Sequence, residues 1–153
     1  NEIAKGLGAY HPIEKRWEEE IIGGFKFIND SYNANPESMK ASVKTFVDLY
    51  ENPVVILGNM GELGENEIEY HRQVGEFLAK QNNKVKYLTV GTLAEKIGEV
   101  LSNYGFFVKS FDNNKDVACY ILENLDKSNT IFLKASRSMK FEQILEEIKK
   151  RDI

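Results

Sequence analysis

Short apolar runs that alternate with amphipathic stretches limit what this chain can fold into more than any other feature. "VVIL" at Val54–Leu57 is a continuous apolar run, as expected of a strand buried on both faces. Further strands are predicted over Val85–Val90, Phe106–Phe111 and Thr130–Leu133. Between them, Pro36–Tyr50 carries Met39, Val43, Phe46, Val47 and Tyr50 at helical spacing, and a later stretch places Ile68, His71, Val74, Phe77 and Leu78 on one side. The same reasoning predicts helices over Leu93–Asn103, Lys115–Leu125 and from about Met139 to Lys150. "RWEEEIIGGFKFIND" reads as two strands joined at Gly23-Gly24, a dipeptide suited to a tight hairpin. Strands alternating with helices of this length predict a doubly wound α/β domain: a mostly parallel sheet with helices on both faces and an antiparallel edge hairpin.

The chain of 153 residues suits a single domain, with a short lead-in over 1–15 and a body over 16–153. Its 42% hydrophobic and 29% charged content is that of an ordinary globular protein. The net charge of −4 offers no basic footprint for nucleic acid, and no apolar run approaches the length of a membrane span. Cys119 stands alone, and the sequence has only two histidines, so neither a disulfide framework nor a metal cluster is expected. A reducing cytoplasm fits these features.

In an open α/β sheet, ligands bind outside the carboxyl ends of the strands. Three polar segments leave such ends here: "NDSYNANP", "GNMGELGENE" and "KASRSM". All three are expected on one rim. In the first, Asp30 can accept hydrogen bonds from vicinal sugar hydroxyls, and Tyr32 and Asn33 are further binding candidates. Asn35 occupies an N-cap position ahead of Pro36, so helix capping explains it before ligand binding does. The second segment has glycines at 58, 61 and 64 but matches no phosphate-binding fingerprint. Glu62 and His71 are possible site residues there, although a lone histidine on a helix face is more often a hydrogen-bonded structural residue than a catalyst. The third brings Lys134, Ser136, Arg137 and Ser138 to the end of the last strand, where cations and hydroxyls suit a carboxylate or phosphate; capping by Ser138 is the plainer alternative. Lys15 and Arg16 precede the hairpin, where an arginine can reach a phosphate.

"NDSYNANPESM", "LGNMGELGENEIEYH" and "LKASRSMKFEQIL", in this order, resemble the C-terminal domain of the Mur ligases, and the resemblance covers essentially the whole chain. It implies a Rossmann-like fold and one domain of a three-domain, ATP- and Mg2+-dependent ligase of peptidoglycan precursor synthesis. Within the family, the "SYNANP" and "GELGE" elements point to the member that adds D-alanyl-D-alanine to UDP-N-acetylmuramoyl-tripeptide through an acyl phosphate. The resemblance also implies roles. Arg16, Asp30, Tyr32, Asn33 and Asn35 would serve ATP, with Arg16 at the phosphates and Asp30 at the ribose. Lys134, Ser136, Arg137 and Ser138 would receive the acceptor dipeptide. No residue here would be catalytic alone, because the ATP P-loop and the magnesium ligands belong to the missing central domain. Asn59 stands where the family usually has Asp, Ala135 where Gly is common, and Lys15 where Gly often precedes the Arg. A non-catalytic, free-standing binding module is the alternative, as is the terminal domain of another amide-forming ligase such as a folylpolyglutamate-type enzyme.

Overall fold

Gly23 and Gly24 both adopt left-handed backbone, with φ of 61° and 83°, the geometry a two-residue hairpin turn requires. They join β1 (Glu18–Ile22) to β2 (Phe25–Asn29), which pair antiparallel with Glu18 opposite Asn29. In the computed structural model, which describes residues 17–81 and 84–151, alternating elements follow: α1 (Pro36–Leu49), β3 (Pro53–Gly58), α2 (Glu67–Leu78), β4 (Lys86–Val90), α3 (Ala94–Asn103), β5 (Phe107–Phe111), α4 (Asn114–Asn124), β6 (Thr130–Lys134) and α5 (Glu142–Arg151). The strands form one six-stranded sheet in the order β1-β2-β6-β3-β4-β5, parallel except for β1. The doubly wound sheet with an antiparallel edge hairpin is therefore what the chain forms.

The two faces of the sheet are filled by different helices. Met39, Val43 and Phe46 of α1, Val74 and Leu78 of α2, and Ile97 and Leu101 of α3 pack on one side with Ile28, Val55, Leu57 and Phe132. Val117 and Ile121 of α4 and Ile144 and Ile148 of α5 pack on the other with Phe27, Val54, Ile56 and Leu133. β3 and β6 contribute to both sides and are buried throughout, which explains their unbroken apolar runs. No helix among the described residues is long and apolar enough to cross a membrane.

One expected boundary moves. α5 begins at Glu142 rather than near Met139. Before it, Arg137–Met139 forms a single 3-10 turn, and Lys140 takes a left-handed conformation with φ of 54°. The Asn114 side-chain amide donates to the carbonyls of Met139 and Lys140 at 2.9 and 3.2 Å, so α4 fixes the reversal that delays the helix. Ser138 consequently does not cap α5, and the segment after β6 reaches the rim as a short turn.

Candidate functional site

β6 lies between β2 and β3, so the carboxyl ends of these three strands are adjacent. The chain leaves β6 for α5 on one face, and leaves β2 and β3 for α1 and α2 on the other. This divergence is the crevice in which open α/β sheets bind ligands. The three polar segments do converge there.

Two hollows occupy the rim. The first, of about 270 Å3, is lined by Asp30, Tyr32, Asn33, Asn35, Ser38 and Lys134 among others. The second, of about 300 Å3, is lined by Tyr32, Asn33, Gly61, Glu62, Ser136, Arg137 and Ser138. Tyr32 and Asn33 belong to both, so the hollows are neighbours with a common wall. A larger groove of about 480 Å3 runs between α4 and α5, lined by side chains such as Asn114, Lys115, Gln143 and Glu147, and includes no residue of the three segments. Size alone therefore does not mark the site; convergent chemistry does.

The first hollow is built on β2 and the start of α1. Asn35 caps α1, accepting from the Ser38 N–H at 2.9 Å, while Ser38 Oγ accepts from the Asn35 N–H in return. That reciprocal box sets the helix entry and commits the Asn35 oxygen to structure. Asn33 Oδ1 accepts from the Ala34 N–H at 2.9 Å. Asp30 lies at the floor, 9% exposed, and its Oδ2 accepts from Lys134 Nζ at 2.9 Å. Lys134, expected with the acceptor group, thus stands at the first hollow, and its ammonium also donates to the carbonyls of Asn33 and Asp30.

The second hollow carries charges of opposite sign, Arg137 on one segment and Glu62 on another, both exposed. Ser136 Oγ and Ser138 Oγ are 3.1 Å apart and put two hydroxyls on the same wall. Glu62 has φ of 59°, a conformation that costs a non-glycine residue on the order of 1 kcal/mol. Such strain is kept where surrounding structure holds it, and it concentrates at binding sites.

His71 holds the glycine-rich segment in place. It is fully buried; Nε2 accepts from the Met60 N–H at 2.9 Å, so Nδ1 carries the proton and donates to the Glu67 carbonyl at 2.6 Å. Accepting at Nε2 needs the neutral ring, and burial pushes its pKa below the ordinary histidine value. The structural role therefore describes His71.

Asn59 was legible in the sequence only as a departure, yet it organises the rim. Its Oδ1 accepts from the N–H groups of Leu93 and Ala94 at 3.1 and 2.8 Å, capping α3 from another loop. Its carbonyl accepts from the Ser136 N–H at 2.9 Å and so ties the second segment to the third. No local sequence signal announces a cap more than thirty residues away. The Ala135 methyl does not narrow the site: it is fully buried in the core beneath α5, where a Cβ on Gly58 would come within 2.6 Å of it. Lys15 and Arg16 lie outside the described residues.

A six-stranded doubly wound sheet whose polar rim carries two adjoining hollows defines a Rossmann-like α/β domain. The sequence matches the family model of the Mur ligase, glutamate ligase domain over residues 15–137, and the chain belongs to that family. It is 33% identical over 152 residues to the UDP-N-acetylmuramoyl-tripeptide–D-alanyl-D-alanine ligase of Bacillus subtilis, covering 96% of this chain and 33% of that protein. It is 32% identical over 140 residues to the ligase of the same name from Buchnera aphidicola, covering 89% and 30%. The chain thus spans about a third of the length of the curated relatives it matches. Among solved structures, MurF from Acinetobacter baumannii superposes with a TM-score of 0.81 at 23% identity, over 97% of this chain and 33% of that one. MurF from Thermotoga maritima, solved in complex with ADP, gives 0.74 at 22% identity, over 95% and 33%. At these identities the superpositions speak for the fold.

Proposed function

We propose that this chain is the C-terminal domain of an ATP-dependent ligase that joins D-alanyl-D-alanine to UDP-N-acetylmuramoyl-tripeptide. In this reading the first hollow receives part of ATP, and the second receives the dipeptide. The observation that carries the proposal is their common wall, because amide formation needs the acceptor amine held beside the phosphate-activated acid. Asp30 accepts hydrogen bonds from the ribose hydroxyls, with Tyr32 and Asn33 beside it. Arg16 serves the phosphates, and Asn35 contributes through the helix start it caps. In the second hollow, Arg137 and the hydroxyls of Ser136 and Ser138 take the dipeptide carboxylate, while Glu62 faces its amine. This pairing of opposite charges suits a zwitterionic dipeptide.

In this reading Mg2+ belongs to the central domain of the ligase, as the family resemblance implies. The other domains also supply the tripeptide site and the groups that cradle the ATP phosphates, so this domain works as a wall that closes over them. The isolated chain is expected to form no amide bond. The cytoplasm, which holds ATP and nucleotide-linked precursors, is the compartment this reading assigns.

Asp30→Ala in the complete ligase tests the nucleotide half. The expected result is a raised KM for ATP with the fold intact by circular dichroism. An unchanged KM would leave Asp30 with a turn-forming role alone.

A further inference from the structure

Lys134 stands at the end of the central strand, and its side chain is 4% exposed. A lysine ammonium has three N–H donors and accepts nothing. Three acceptors surround this one: Asp30 Oδ2 at 2.9 Å, the Asn33 carbonyl at 3.2 Å and the Asp30 carbonyl at 3.4 Å. All three belong to the segment between β2 and α1, more than 100 residues away in sequence. The donors are fully used, so none is left for a bound molecule. Two residues later the Ser136 N–H donates to the Asn59 carbonyl at 2.9 Å. The end of β6 therefore clamps the segment on one side through Lys134 and the segment on the other side through Ser136.

We infer that Lys134 is a positioning residue: its buried ammonium fixes the Asp30 carboxylate and the turn through Asn33 in the arrangement that the first hollow presents to a nucleotide. The inference rests on the nucleotide reading of Asp30. A carboxylate on a surface turn samples several rotamers, and each costs affinity when a ligand selects one. Here one carboxylate oxygen and the carbonyl of the same residue are gripped by a single cation, which removes that freedom. The geometry places Lys134 behind Asp30, acting on ATP through it.

Steady-state kinetics on the complete ligase test this with Asp30→Ala, Lys134→Met and the double variant. Methionine keeps the length and apolar stem of lysine while removing its donors. The expected results are an ATP KM raised about tenfold by Lys134→Met, a smaller change in the D-alanyl-D-alanine KM, and no further rise in ATP KM when Lys134→Met is added to Asp30→Ala. A raised KM in Asp30→Ala with no effect of Lys134→Met, or with effects that multiply, overturns this inference alone. Equal losses on ATP and acceptor, the mark of general disorder, also overturn it. An unchanged ATP KM in Asp30→Ala overturns the nucleotide reading and this inference with it. Lys134→Met strands a buried carboxylate and can prevent folding. In that event Lys134→Met/Asp30→Ala, which buries no unpaired charge, is compared with Asp30→Ala alone: equal ATP KM values support the inference and a further rise overturns it.

Discussion

The Arg137 guanidinium lies over the Tyr32 ring, its central carbon 5.1 Å from the ring centroid. This contact bridges the segments that follow β6 and β2, and Tyr32 is also wall to both hollows. An exposed cation–π pair of this kind contributes about 0.5–1 kcal/mol, enough to orient an arginine without freezing it.

Tyr32→Ala is therefore expected to raise the KM for ATP and for D-alanyl-D-alanine together, by about two- to fivefold each. Tyr32→Phe, which keeps the ring, should have little effect on either. Arg137→Ala should act chiefly on the dipeptide, by about tenfold or more, because it removes a charge-assisted contact. Kinetics with each substrate varied in turn measure both, and an Arg137→Ala effect confined to ATP would contradict the acceptor assignment.

Glu62 separates stability from binding. Its φ of 59° suits glycine better than glutamate, so Glu62→Gly should leave thermal stability unchanged or raise it by up to about 1 kcal/mol. The same substitution removes the negative charge from the second hollow, and the dipeptide KM should rise severalfold. Calorimetry and kinetics on one variant check both halves. Lost stability with an unchanged dipeptide KM would mean that Glu62 serves only the loop.

His71 makes stability depend on pH in a defined direction. Burial lowers its pKa from the ordinary 6.5, so the unfolded chain takes up the proton more readily than the folded one. Its contribution is fully present above pH 6.5 and is lost as the pH falls from there through the lowered native value. His71→Ala should cost about 2–3 kcal/mol at pH 7, from a cavity and the unpaired Met60 N–H. The variant should also lose the His71 part of the decline on acidification. Urea unfolding of both proteins at pH 7 and pH 5.5 is the check, and parallel declines would contradict the buried neutral imidazole.

Much of this was written in local pattern. The apolar runs of β3 and β6 announced buried central strands, Gly23-Gly24 announced the hairpin, and Asn35-Pro36 announced the start of α1. The convergence of the three polar segments also followed, because a parallel sheet sets the carboxyl ends of its strands along one edge; the order that makes β2, β6 and β3 neighbours did not. What stayed hidden depends on pairing across the fold. Lys134 reads as a free cation until β6 is seen inserted beside β2, where Asp30 meets it. Asn59 reads as an isolated substitution until α3 is seen to begin above it. The late start of α5 was equally hidden, since the Asn114 amide that stabilises the preceding turn comes from α4.

The central claim is that one rim offers two adjoining sites of different chemistry. It is tested most directly by heteronuclear NMR of the chain titrated separately with ADP and with D-alanyl-D-alanine at millimolar concentration. The account predicts that ADP shifts the amides of Asp30, Asn33 and Ser38, that the dipeptide shifts Gly61, Glu62 and Arg137, and that Tyr32 responds to both. Perturbations confined to the groove around Asn114 and Gln143, or none on the rim with either ligand, would contradict it.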